Sequence, residues 1–439
     1  MSTADPRTPP PQAQSPAPPA VEEGASGGAR VRMFESLADA GYRWYLLSML
    51  GQMASLNMQQ LVRGFLVFEL TGSYAALGTM FLFNSVPGLL FSVAGGVVAD
   101  RVRQKKRVVQ VGQFLNGSNA LVLALLLVFD VLTFGHLLVA AVVHGTVMSM
   151  MMPARQAMLP EVIGHERLTN AVALNAAGMN AMRLLAPSAS GFLIAAFGPH
   201  WVYFGITGLY IYASALLTLV PAHSATAGDD AASEEGRAER GGGLSDLVAG
   251  FRYIAGDPVL RLLLMVAVLF AVLSMPFLFL LPGFVASVLD AGPQQLGLLM
   301  TLTGVGSLLG SMAVATLPAH GRGRIFLLSG VLLGVALIAF SISTTFWVTA
   351  VIMFVVGIGD AGRQSLSMVL VQVYVQDAYR GRVMSVYMMQ RSFATLGTFF
   401  VGIAASLVGI QWAIGTISAA LVVVALLLLL FVPRLRDLD

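Results

Sequence analysis

Gly96 to Arg107 read G-V-V-A-D-R-V-R-Q-K-K-R. Long apolar runs flank this stretch, at 75–99 and 108–129. Runs of about 20 apolar residues are long enough to cross a bilayer as a helix. The stretch between them is therefore a short loop joining two membrane spans. It is crowded with Arg and Lys, and one acid, Asp100, stands among them.

The rest of the chain fits that reading. It has 439 residues, 57% of them hydrophobic and 11% charged. Soluble domains carry about 25% charged residues, so most of this chain belongs in lipid. With no Cys, there is no disulfide framework, thiolate nucleophile or Cys-based metal site. Nothing points to catalytic machinery, a cofactor, a metal or nucleic acid.

Apolar segments of spanning length fall near 44–69, 75–99, 108–129, 135–153, 171–197, 201–221, 259–287, 294–318, 325–343, 346–369, 382–408 and 411–433. A polar stretch at 222–245 splits these twelve spans six and six. After it, 244–255 reads as an interfacial amphipathic helix with Leu244, Leu247, Phe251 and Ile254 on one face. Pro276 and Pro282 interrupt span 7, a break that lipid tolerates where it faces protein or a water-filled cavity. Residues 1–43 are rich in Pro, Ala, Ser and Gly and read as a disordered tail. Residues 434–439 form a second short tail. The two bundles are thus 44–221 and 259–433, with a linker at 222–258.

The basic residues set the orientation. Of 25 Lys and Arg, Arg63, Arg183 and Arg391 lie well inside spans. The others fall in the tails, in the even-to-odd loops or at span ends beside those loops. The odd-to-even loops hold none. The positive-inside rule then places both termini in the cytoplasm, in a multi-pass protein of the cell membrane.

The two halves repeat. Arg155-Gln156 at the end of span 4 matches Arg363-Gln364 at the end of span 10, and Arg183 in span 5 matches Arg391 in span 11. Both pairs are 208 residues apart. A tandem duplication of this kind places a substrate site at the interface of the repeats.

The loop 2–3 stretch resembles the latch of major facilitator superfamily transporters, roughly G-x-x-x-D-R-x-G-R-K. Gly96, Asp100, Arg101 and Lys105 match, whereas Arg103 replaces the Gly and Gln104 the Arg. Leu70-Thr71-Gly72-Ser73, Pro153 to Ala157, Leu168 to Ala171 and Arg380 to Ser385 resemble the enterobactin-exporter-like and macrolide-efflux-like branch. The resemblance covers about 44–433. It implies an all-α membrane protein with twelve transmembrane helices in two six-helix bundles, alternating access to a central cavity. It also implies that Asp100 engages loop 10–11, where Asp377, Arg380 and Arg382 lie. Met182 to Gly191 reads M-R-L-L-A-P-S-A-S-G and is similar to the helix 5 motif of exporters. Ala186, Pro187, Ser190 and Gly191 keep its small residues and its proline.

Charges in the bilayer centre are costly and should face the bundle interior. Arg183 and Arg391 are therefore candidates to bind an anionic group, with Asn180 one turn from Arg183. On span 1, Gln52, Ser55, Gln59 and Arg63 form a polar stripe, with Asn57 off its line. These residues should line the cavity. Proton coupling needs a titratable group, for which Glu69, His144 and Asp360 are the candidates. Gly304, Gly306 and Gly310 hint at a nucleotide fingerprint, but no strand precedes them, and they read as helix-packing glycines. The expected function is export of a small, partly hydrophobic compound, such as a drug, siderophore or natural product, by a monomeric proton antiporter. An uptake symporter or facilitator, and a non-transporting scaffold or sensor, are the alternatives.

The cysteine-free chain makes the orientation testable. In intact cells a membrane-impermeant maleimide should label Thr344→Cys, in loop 9–10, and not Asp437→Cys. Labelling of Asp437→Cys alone would reverse the topology.

Overall fold

The computed structural model describes residues 35–101, 104–164, 167–221, 243–317, 320–376 and 379–438, without the side chains of 89, 91–101 and 243–247. Residues 1–34 of the expected tail, 222–242 of the linker, Asp377, and the side chains of Gly96, Asp100, Arg101, Leu244 and Leu247 lie outside that description.

Every regular element among the described residues is helical. The first half holds α1 (Ala40–Thr71), α2 (Tyr74–Arg101), α3 (Lys105–Val128), α4 (Phe134–Ile163), α5 (Leu168–Phe197) and α6 (Pro199–Thr218). The connecting helix is α7 (Gly243–Gly256). The second half holds α8 (Pro258–Ser274), α9 (Pro276–Ser287), α10 (Pro293–Ala315), α11 (Arg322–Ile342), α12 (Phe346–Tyr374), α13 (Arg380–Met388), α14 (Gln390–Val408) and α15 (Ile410–Phe431), followed by the short α16 (Pro433–Arg436). With α8–α9 and α13–α14 each counted as one span, nine spans among the described residues are long and apolar enough to cross a membrane. Three more, α1, α2 and α5, have 32, 28 and 30 residues and complete the twelve.

Several boundaries move from the sequence reading. The Asp39 carboxylate accepts from the Tyr42 backbone N–H at 2.8 Å, capping α1. Residues 40–43 are therefore helix rather than tail. The C-terminal segment also docks: Gly323 N–H donates to the Leu438 carbonyl at 2.9 Å, and Leu435 and Leu438 are buried. Span 7 breaks at Met275, just before Pro276, as its prolines suggest. Span 11 breaks at Met389, where no proline gives warning. In α7, Ile254 is buried but Phe251 is half exposed. Its Tyr253 ring stacks on Tyr379, the residue just before α13, at 4.3 Å, and α7 packs on α13.

The two halves use one packing scheme. α2 packs on α4, α3 on α6 and α3 on α4; the counterparts α10 on α12, α11 on α15 and α11 on α12 repeat it. The turns repeat too. Gly198 (φ 90°) alone links α5 to α6, and Gly409 (φ 91°) alone links α14 to α15. Only glycine adopts that conformation freely.

The halves meet where α2 contacts α14, α5 contacts α10 and α1 contacts α9. These contacts close the end of the bundle opposite the chain termini, the far face. Tyr74 OH meets Ser287 Oγ, Ala75 N–H donates to Ser406 Oγ at 3.0 Å, and the Phe81 and Phe279 rings lie 4.4 Å apart. A Cβ on Gly191 would stand 2.3 Å from the Pro293 carbonyl, so α5 and α10 touch backbone to backbone.

The same close approach explains the glycines of span 8. A Cβ on Gly306 would lie 2.0 Å from the Phe354 carbonyl of α12. These are packing glycines. Gly306→Val should force α10 from α12, cost on the order of 1–3 kcal/mol and lower the thermal midpoint of the purified protein. Gly205→Ala, with nothing within 4 Å of the new Cβ, should not lower it. Equal midpoints for the two variants would refute the close approach.

Candidate functional site

Between the halves lie two connected lobes of about 520 and 600 Å³. Met275 and Arg391 border both. Both residues stand at helix breaks. Met275 lies between α8 and α9, and Arg391 is the second residue of α14 after the break at Met389. The first lobe is lined by Gln59, Arg63, Asn84 and His144, with Phe81 and Phe279. The second is lined by Asn180, Arg183, Arg363, Gln364 and Tyr387, with Leu184, Leu308 and Met368. The lobes run from mid-depth toward the face that carries the termini, while the far face is closed.

Arginine dominates the polar chemistry. Arg63, Arg183, Arg363 and Arg391 line the lobes, and no acidic residue does among the described residues. Their bonding differs. Arg363 is 1% exposed and donates through Nη2 to Asp360 Oδ1 at 2.7 Å. Gln364 Nε2 donates to the other oxygen of Asp360 at 2.5 Å. Arg63 donates to Asn84 Oδ1 at 3.2 Å, and the same oxygen lies 3.0 Å from His144 Nδ1. Arg183 and Arg391 are exposed to the cavity, and neither side chain makes a hydrogen bond or ion pair among the described residues. Asn180, one turn away, does not bond Arg183.

The polar stripe of α1 divides. Gln59 and Arg63 reach the first lobe. Gln52 and Ser55 are fully buried and border neither lobe, which corrects their assignment to the cavity. Gln52 accepts from Arg155 Nη1, and Ser55 Oγ donates to the Gly51 carbonyl of its own helix. Asn57 also turns to its own helix, donating to the Met53 carbonyl at 2.7 Å, and borders neither lobe. Of the titratable candidates, His144 lines the first lobe and Asp360 stands behind Arg363. Glu69 is exposed near the far end of α1, away from both lobes.

Two buried arginines escaped the sequence reading as site residues. Arg155 is 3% exposed within α4. Its Nη2 donates to Ser48 Oγ at 2.9 Å, and its guanidinium lies 5.4 Å from the centre of the Tyr45 ring. Arg363 is its repeat partner in α12. Both were read as lying at span ends, yet α4 and α12 run on to Ile163 and Tyr374. The 208-residue repeat was the signal that marked them. Asn84, shared by Arg63 and His144, gave none.

The latch residues are described only in part. Lys105 pairs with Glu161 of α4, and Lys106 Nζ donates to the Thr218 and Val220 carbonyls at 2.9 and 2.7 Å. Lys106 thus ties the start of α3 to the negative end of α6. The Arg382 guanidinium lies 5.6 Å from the centre of the Tyr379 ring. The helix 5 motif is buried at Ala186, Pro187, Ser190 and Gly191. It packs on α1 and α10: Ser190 Oγ donates to the Met58 carbonyl at 3.4 Å, and a Cβ on Gly297 would stand 2.8 Å from the Pro187 carbonyl. α5 continues as one helix through Pro187.

Two duplicated six-helix bundles around a largely apolar, arginine-bearing cavity at mid-depth define a membrane transporter of the major facilitator type. The chain belongs to the transmembrane secretion effector family, which it matches over residues 34–439. It is 25% identical to the staphyloferrin A transporter of Staphylococcus aureus (strain NCTC 8325 / PS 47) over 345 residues, 76% of this chain and 82% of that protein. It is 25% identical to the multidrug efflux pump Tap of Mycolicibacterium fortuitum over 383 residues, 85% of this chain and 91% of that one. The fold resembles the crystal structure of the nucleoside transporter NupG, with TM-score 0.67, 15% identity, and 88% and 98% of the two chains covered. It also resembles a bacterial homologue of the human lysosomal transporter Spinster, with TM-score 0.65, 14% identity, and 91% and 96% covered.

The Asp360–Arg363 pair carries a stability test. Asp360→Ala would leave a buried guanidinium unpaired, at a cost of about 3–5 kcal/mol. The thermal midpoint of the purified protein should fall, and Asp360→Ala/Arg363→Leu should recover most of the loss. An unchanged midpoint in Asp360→Ala would show that the pair does not hold α12.

Proposed function

We propose that this protein exports a small, partly hydrophobic compound by alternating access, drawing on the proton gradient by antiport. The observation that carries the reading is the cavity itself: it is sealed at the far face and extends toward the face that bears the termini. With the termini cytoplasmic, as the basic loops indicate, a cargo enters from the cytoplasm in this state. The lining supports the cargo class, since aromatic, Leu and Met side chains alternate with a few polar groups. The similarity to the multidrug efflux pump Tap supports the direction.

In this reading the far-face contacts of α2 with α14 and α5 with α10 open as the loop 2–3 latch closes. Asp100, Arg380, Arg382 and Asp377 would form that latch at the opposite end. Proton exchange falls to His144, which borders the first lobe, and to Asp360, which stands behind Arg363. The protein works as a monomer, because each chain carries both halves of the site.

The test is accumulation of a panel of small amphipathic antibiotics of either charge. Cells expressing the wild type should accumulate less of at least one of them than cells expressing Asp100→Asn. A protonophore should abolish the difference. Higher accumulation in the wild type would instead establish uptake. Loss of phenotype on deleting residues 1–34, with cavity variants silent, would establish a scaffold.

A further inference from the structure

We propose that the cargo is an amphiphilic anion, whose carboxylate, phosphate or sulfonate group is held between Arg183 and Arg391. The inference rests on the export reading for its physiological direction, but on the cavity alone for its chemistry.

The arginines of the bundle are not equivalent. Arg155 and Arg363 are 3% and 1% exposed and spend their donors on Gln52, Ser48 and Asp360. Arg183 and Arg391 keep theirs. They come from helices of opposite halves, α5 and α14, border the same lobe, and lie within electrostatic reach of one another. Asp360 is the one acid within electrostatic reach of both among the described residues, and its oxygens are bonded to Arg363 and Gln364. Two like charges against one shared acid are unfavourable, and an anion placed between them removes that cost. A guanidinium presents its donors as a planar fork that fits a carboxylate or phosphate.

The charge balance points the same way. Four arginines line the lobes against Asp360, which is already engaged by Arg363 and Gln364. A cationic cargo would find no free carboxylate among the described lining residues. Apolar side chains stand around the two arginines: Ala271 and Met275 of the broken span 7, Leu184, Leu308 and Met368. The lobe of about 600 Å³ holds an organic body attached to the anionic group, and is much larger than an inorganic ion needs. Because the two arginines belong to different halves, an anion bridging them also ties the halves together. Cargo binding and the motion of the halves are then the same event.

The experiment is titration calorimetry on the full chain in lipid nanodiscs, with two probes that share one apolar body: naphthalenesulfonate and naphthylmethylammonium. The wild type should bind the sulfonate and discriminate against the ammonium by about ten-fold or more, as charge-assisted hydrogen bonds imply. Arg183→Gln and Arg391→Gln should each weaken sulfonate binding by about ten-fold. Arg183→Lys and Arg391→Lys should restore part of it, which separates lost charge from lost folding. Equal binding of both probes, sulfonate affinity unchanged in the double Gln variant, or no sulfonate binding by the wild type would each overturn the proposal. Equilibrium binding is blind to direction. Its failure leaves the export reading standing, and failure of the accumulation assay leaves the anion site standing.

Discussion

A guanidinium at mid-depth in an apolar bundle must be either bonded or wet, because a bare charge in hydrocarbon costs several kcal/mol. That requirement orders the interior of this molecule. Arg155 is bonded and ties α4 to α1, through Gln52 and Ser48. Arg363 is bonded and ties its own turn of α12 through Asp360. Arg63 is bonded to Asn84 and touches the cavity. Arg183 and Arg391 make no hydrogen bond or ion pair among the described residues, so the space around them has to be open to water or cargo. The cavity exists where the bundle leaves its arginines unsatisfied.

The second constraint is the distance between helices. Where the halves seal, glycine removes the side chain that would keep the backbones apart, as at Gly191 against Pro293 and Gly402 against Tyr74. Inside the second bundle Gly306 and Gly357 do the same between α10 and α12. Such contacts rely on van der Waals packing and small residues rather than on a hydrophobic effect, which lipid cannot supply. The breaks at Met275 and Met389 set joints in the two spans that carry cavity residues at the seam.

Most of the architecture was legible from the chain. Span length, the six-and-six division, the 208-residue repeat and the interruption of span 7 all follow from apolar runs and proline chemistry. Finer placement was not. Gln52 sits on the same helical face as Gln59 and Arg63, yet Arg155 takes it out of the cavity, and periodicity within α1 cannot reveal a partner on α4. Asn57 and Ser55 satisfied themselves on their own helix, an outcome open to any polar residue in lipid. The joint at Met389 had no proline to announce it. Asn84 carries two hydrogen bonds of the first lobe, but a lone Asn in an apolar span has no signature until the fold brings Arg63 and His144 to it.

The scarcity of acids beside so many cavity arginines has an energetic consequence. Cell membranes are electrically negative inside, and a unit charge crossing them exchanges about 2.3 kcal/mol per 100 mV. An anion carried outward moves with that field, and a dianion gains twice as much. A cation carried outward moves against it and has to be driven. Under the proposed outward transport of an anion, a cavity lined by Arg63, Arg183, Arg363 and Arg391 selects the cargo whose own charge does part of the work. The voltage acts on what is carried as well as on the protein that carries it.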